Sequence, residues 1–294
     1  MGGTYAYAYY DPATNTDTLT NQMVSNTRGD TTKGDFNSYN YPDRNLVINW
    51  TDNSRGDGAA IRDAEVNAKN LTINANFSGN ERTDKGVISD AATHIKVSGD
   101  INIATNNDSV YTEGKGTTTI EGFKNLNITS SIAGYGLVDN GGGITVSGGT
   151  GSSDTLKNSG LAWDAHPTVG NSLWTGTGSA LGKGITVKAD KIQIQSDNKS
   201  IIAGQGKGGE KFTVDLNAHA VDVTGTISGI GGDIFINSDT NGTVTLSSAN
   251  KTENGWSSGE QSMDLMSNHT SGSNLTINKN ARGLVQILGK IQVG

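Results

Sequence analysis

The stretch from Gly86 to Ile103, reading G-V-I-S-D-A-A-T-H-I-K-V-S-G-D-I-N-I, leaves this chain few ways to fold. Three short apolar runs are separated by turn residues. Val87-Ile88 is closed by Ser89-Asp90, Ile95-Lys96-Val97 by Ser98-Gly99-Asp100, and Ile101-Asn102-Ile103 follows at once. Alternation with a period of two over so few residues marks half-buried strands, since an amphipathic helix needs a 3.6-residue repeat sustained over several turns.

The unit recurs along the chain. Ala60-Ile61-Arg62-Asp63 leads into Leu71-Thr72-Ile73, Leu137-Val138-Asp139 into Ile144-Thr145-Val146, Ile201-Ile202 into Phe212-Thr213-Val214, and Leu265-Met266 into Leu275-Thr276-Ile277. A drifting repeat in the twenties, with three strands to each repeat, is the signature of stacked solenoid units. A three-residue strand cannot bury its apolar face alone. If equivalent strands of successive units pair in parallel about 4.8 Å apart, their apolar faces close a continuous core. In the reference unit the inward set is predicted to be Ile88, Ile95, Val97, Ile101 and Ile103. Burying each contributes roughly 1.5–3 kcal/mol, which offsets the ordering entropy only when a neighbouring unit covers it. Parallel crossovers are right-handed in nearly every case, so the expected fold is all-β, a right-handed parallel β-helix with three short strands per coil.

Composition agrees with that expectation and narrows the partners. Hydrophobic residues make up only 33% of the chain while glycines number 41, a balance suited to short strands and many turns. A net charge of −7 offers no basic field to hold nucleic acid. With no cysteine there is neither a disulfide framework nor a thiolate metal site. No apolar run is long enough to span a bilayer, so direct membrane insertion by these residues is not expected. Met1-Gly2-Gly3 lacks signal-peptide character, and the chain reads as an excised part of a larger exported polypeptide.

Three departures from the repeat divide the chain. Residues 1–45 hold six of the eight tyrosines, at Tyr5, Tyr7, Tyr9, Tyr10, Tyr39 and Tyr41, and read as an N-terminal cap over the open edge of the first coil. Residues 46–294 read as the parallel β-helix, with irregular insertions at about 148–184 and 248–262.

Chemistry-bearing residues do not converge. Asp63, Asp90, Asp100, Asp139 and Asp190 stand singly at turns, and His94, His166, His219 and His269 are scattered without metal-ligand spacing. No catalytic residue, metal or cofactor is assigned. Candidate contacts with a partner come from two sources. Trp163, Asp164, His166 and Trp174, together with Trp256, lie in the two Gly/Ser-rich irregular stretches, where a large ring either folds back or meets a partner. Arg28-Gly29-Asp30 and Arg55-Gly56-Asp57 repeat a tripeptide that many integrins read, and Gly-Asp turns supply the same letters.

The G-V-I-S-D-A…I-K-V-S-G-D-I-N-I unit, the strands at Leu71, Ile144, Ile185 and Leu275 that echo it, and the absence of cysteine resemble the passenger region of monomeric autotransporter adhesins of diderm bacteria. The resemblance covers about residues 46–294 and carries no binding motif. It implies export, display at the cell surface through a C-terminal outer-membrane β-barrel, and a non-enzymatic role in attachment, aggregation or biofilm. The implied partner is a cell-surface glycan or protein receptor, or a second rod. The alternative is a β-helical polysaccharide lyase or glycoside hydrolase, which needs two or three carboxylates converging in a groove.

Overall fold

Ile101 of the reference stretch is paired in parallel with Leu71 on one side and Leu126 on the other, and this two-sided pairing is the rule throughout the chain. The computed structural model describes residues 7–27, 35–51, 58–76, 85–130, 135–158, 173–175, 183–203, 211–229, 232–247, 263–265, 274–279, 283–288 and 291–293. The protein is all-β. Its strands form one 22-stranded sheet and a separate parallel pair, Met263–Leu265 with Ile291–Val293, and no helix occurs among the described residues.

Parallel pairing sorts the strands into three ladders. The first runs through Val24–Ser25, Ala59–Arg62, Lys85–Ser89, Val110–Glu113, Leu137–Asn140 and Leu173–Thr175 to residues 201–203 and 227–229. The second begins at residues 39–41 and 65–68 and continues through Ala92–Val97, Thr117–Glu121, Gly143–Ser147 and Gly184–Lys188 to residues 213–217, 233–237 and Asn274–Ile277. The third starts at Thr16–Thr20 and residues 45–50. It passes through residues 70–75, Asp100–Thr105, Asn125–Ser130, Ser153–Asn158 and residues 191–196, 220–224 and 243–247 before ending at Leu284–Leu288.

The interior is a continuous aliphatic column. In the third ladder Leu19, Ile48, Ile73, Ile103, Ile128, Leu156, Ile194, Val223 and Leu246 are all buried at one register position. Polar side chains outside follow the same register. Asn74 donates to Asn49 at 3.0 Å and Asn127 to Asn102 at 3.1 Å, so amides one repeat apart satisfy each other while facing water.

Two expectations need correction. Ile88 does not belong to the inward set. Val87 is in register with Ile61 and Val110 in the core, whereas Ile88 is in register with Arg62 and Tyr111 on the other face and is buried there. With two adjacent aliphatics in V-I, alternation alone cannot tell which one faces in. The stretch 148–184 is not irregular throughout, because Ser153–Asn158 is a full member of the third ladder and Leu173–Thr175 and Gly184–Lys188 belong to the other two. An aspartate, Asp154, stands there where neighbouring strands carry Leu126 and Ile192, which hides the repeat. The second irregular stretch, 248–262, lies outside the described residues.

At the N-terminal end, Tyr7–Asp11 pairs antiparallel with Thr16–Thr20, in contrast to the parallel pairing of the ladders. Thr16–Thr20 already pairs in parallel with residues 45–49, and Tyr39–Trp50 runs across the boundary expected at residue 45.

Candidate functional site

Connection lengths single out one ladder. Between the second and third ladders the chain turns in at most six residues, at 278–283, and in several places it runs on as a single bent strand such as Glu65–Ala75. Six of the eight connections longer than that enter or leave the first ladder, 26–38, 51–58, 76–84, 159–172, 176–183 and 204–212; the other two, 248–262 and 266–273, flank Met263–Leu265, which pairs with Ile291–Val293 apart from the main sheet.

All but one of the contact residues expected from sequence fall in these connections. Arg28, Gly29 and Asp30 belong to 26–38, Arg55, Gly56 and Asp57 to 51–58, Trp163, Asp164 and His166 to 159–172, and Trp256 to 248–262; all of them lie outside the described residues. Trp174 is the exception. Its backbone is part of the first ladder, in register with Val138 and Ile202.

The described part of the first ladder is unusual on its non-core face. Register places Arg62, Ile88, Tyr111 and Val138 in one row, and Ile88 and Val138 are fully buried although they stand outside the main core. Charged groups frame this row. Buried Arg62 donates to Asp90 Oδ2 and, at 3.2 Å, to Glu113 Oε1. The Lys85 ammonium is 2.8 Å from Asp108 Oδ2 and 5.1 Å from the centre of the Tyr111 ring. Burial raises the Tyr111 phenol above its ordinary value, while an Asn140 amide 3.0 Å away and the Lys85 charge pull the other way.

The turn aspartates serve the backbone. Asp63, held at φ 50°, accepts the amides of Asp90 and Ala91 at 2.8 Å each with one oxygen and the Thr27 hydroxyl with the other. Asp139 accepts the Thr112 hydroxyl and the Gly141 and Gly143 amides on Oδ1, and the Gly184 amide at 2.7 Å on Oδ2. Carboxylates so engaged fix corners of the backbone. His94 lies between Glu65 at 2.9 Å and Glu121 at 3.3 Å on an exposed face, and His219 is 2.6 Å from Asp239. His166 and His269 lie outside the described residues. No group of three metal-binding side chains occurs among the described residues.

A second cluster was only half legible in the sequence. Tyr10 and Tyr41 hold the Arg44 guanidinium between their rings, at 4.2 and 4.5 Å from the ring centres. Tyr39 meets Tyr41 edge to face at 5.1 Å and donates its hydroxyl to Asp17 Oδ2 at 2.6 Å. Burial and that carboxylate push the Tyr39 phenol far above its ordinary range. The tyrosine density announced a special region; the part of Arg44 was not readable, because Tyr10 reaches it only through the antiparallel turn at 12–15.

No family model matches this sequence, and comparison with curated proteins and with solved structures returned no match.

Proposed function

We propose that the three ladders are the walls of a right-handed parallel β-helix, and that the chain is a non-enzymatic adhesive segment displayed at a bacterial surface. The geometric support is the pairing rule. Each interior strand is bonded to the strand one repeat before it and the strand one repeat after it, and the last described strand of the third ladder, Leu284–Leu288, pairs on one side only among the described residues, with Leu284 and Leu288 exposed. A closed ring of parallel strands, the other way to satisfy such a sheet, would bring its first and last members together. Small-angle scattering distinguishes them: the β-helix gives an elongated particle whose length follows about 4.8 Å per coil, the ring a compact one.

The observation that supports the adhesive reading is that six of the eight longest connections enter or leave one ladder. A rigid scaffold with long segments along one side is the arrangement by which proteins present contact residues to a partner. The candidate contact residues remain Arg28–Asp30, Arg55–Asp57, Trp163, Asp164, His166, Trp174 and Trp256, and the partner is a surface glycan, a protein receptor or a second rod. Display through an outer-membrane β-barrel and a part in aggregation, biofilm and virulence follow from the family resemblance alone.

The test is binding of the purified chain to immobilised glycans and matrix proteins, beside variants in which 159–172 or 51–58 is exchanged for Gly-Ser of equal length. Loss of binding with unchanged strand content supports the reading. Sustained release of unsaturated or reducing sugars from pectins or other acidic glycans, with or without calcium, overturns it in favour of a polysaccharide-cleaving enzyme.

A further inference from the structure

We infer that the Tyr10–Arg44–Tyr41 layer at the N-terminal end of the third ladder binds the ring of a neutral sugar, with the tyrosine faces turned away from Arg44 as stacking surfaces and Arg44 as a donor to sugar hydroxyls. The inference rests on the adhesive reading and gives it a ligand class and a described site.

The layer is built rather than incidental. Tyr10 is fixed at its tip, where its hydroxyl donates to Asn15 Oδ1 at 2.9 Å, and Asn15 in turn donates to the Asp43 carbonyl at 2.7 Å. Asn15 holds φ 52°, and the turn before it is tied by Asp11, which accepts the Ala13 amide and the Thr14 hydroxyl. Tyr41 packs in a T-shaped pair with Tyr39, whose own hydroxyl is anchored on Asp17. The rings are thus positioned before any ligand arrives, which lowers the entropy lost on binding.

Closing the end of the stack explains Tyr39, which is only 4% exposed, but not its neighbours. Tyr10 and Tyr41 remain 40% and 49% exposed. Both keep aromatic surface in water that a purely covering role would bury. Between them the guanidinium makes one hydrogen bond among the described residues, at 3.4 Å to Asp17, and a planar guanidinium carries five N–H donors. Aromatic faces beside a planar polar group fit the C–H face and hydroxyl edge of a pyranose ring.

Charge selects within that class. Asp11, Asp17 and Asp43 outnumber Arg44 around the layer, and the whole chain is at −7, so a carboxylated sugar is repelled. A neutral hexose is not.

The experiment titrates the full chain with neutral oligosaccharides and with sialylated forms of the same backbones, by calorimetry and saturation-transfer NMR. Neutral sugars bind, and Tyr10→Ala or Tyr41→Ala weakens binding at least tenfold. Tyr41→Phe stays within about threefold, and so does Tyr9→Ala, since Tyr9 is 59% exposed in register with Thr18 rather than Asp17, on the opposite face of its strand. Should an alanine variant lose strand content, Arg44→Lys supplies the readout, because it keeps the charge, loses the planar stack and is expected to weaken binding several-fold. Preference for the sialylated forms, or unchanged affinity in Tyr10→Ala, Tyr41→Ala and Arg44→Lys, overturns the inference. Binding to matrix proteins but to no sugar overturns it and leaves the adhesive reading standing; binding to neither overturns both.

Discussion

The carboxyl of Asp154 stands in register with the side chain of Leu126, at a core position where the next strand carries Ile192. It is 0% exposed, and neither oxygen has a hydrogen-bond partner among the described residues. Desolvation pushes its pKa from 3.8 up to about 8, with no charged group contributing. Asp154 is therefore protonated in the folded protein at neutral pH, whereas the unfolded chain holds it ionised.

Because the folded value lies above the unfolded one, the contribution of Asp154 to stability is greatest below about pH 4, falls as pH rises towards 8, and levels off above it. The penalty at pH 7 is on the order of 4 kcal/mol, at about 1.4 kcal/mol per unit. Asp154→Asn should flatten this dependence, and Asp154→Leu should also raise stability at pH 7. Urea midpoints measured between pH 4 and 9 check both. A wild-type curve as flat as that of the asparagine variant would place the carboxyl in contact with water.

Asp139 is predicted to be costly to remove. Its two oxygens take three backbone amides and a hydroxyl from three successive repeats, and Asp139→Ala strands those buried donors. The expected loss is about 2–4 kcal/mol, with faster amide exchange at Gly141, Gly143 and Gly184. Asp139→Asn, which can still accept, should lose about half as much. Exchange that stays slow at all three amides in the alanine variant would contradict the assignment.

Two glycines in the left-handed region should respond in opposite ways. Gly184 has φ 129°, and a Cβ there would collide with the Thr213 carbonyl. Gly184→Ala is expected to cost more than about 2 kcal/mol. Gly114 has φ 62° with open space around it, so Gly114→Asn should stay within about 1 kcal/mol of wild type. Thermal denaturation of the pair tests the local geometry, and equal losses would argue against it.

The repeat was readable where apolar residues alternate without interruption. Ile95–Val97 and Ile101–Ile103 lie in strands Ala92–Val97 and Asp100–Thr105 with the expected faces inward. It failed where a polar residue takes a core position. Ser152 and Asp154 face the interior beside Leu156, leaving one aliphatic in a strand whose neighbours show two, and such a strand has no visible period. It failed again at Val87-Ile88, where both faces of the first ladder are covered. The Tyr10–Arg44–Tyr41 layer depends on residues more than 30 positions apart meeting across a hairpin and a bulge between Tyr41 and Asn45, and local spacing carries no sign of that.

The uneven distribution of connections also bears on how such a molecule changes over generations. Between the second and third ladders a chain turns in a few residues, and one added residue would shift the register of every strand beyond it. Around the first ladder the segments are already long and unequal, and lengthening one alters the closure entropy only slightly. Insertions and deletions can accumulate in those segments while the other two ladders stay in phase, so a lineage can vary them without redesigning the paired frame.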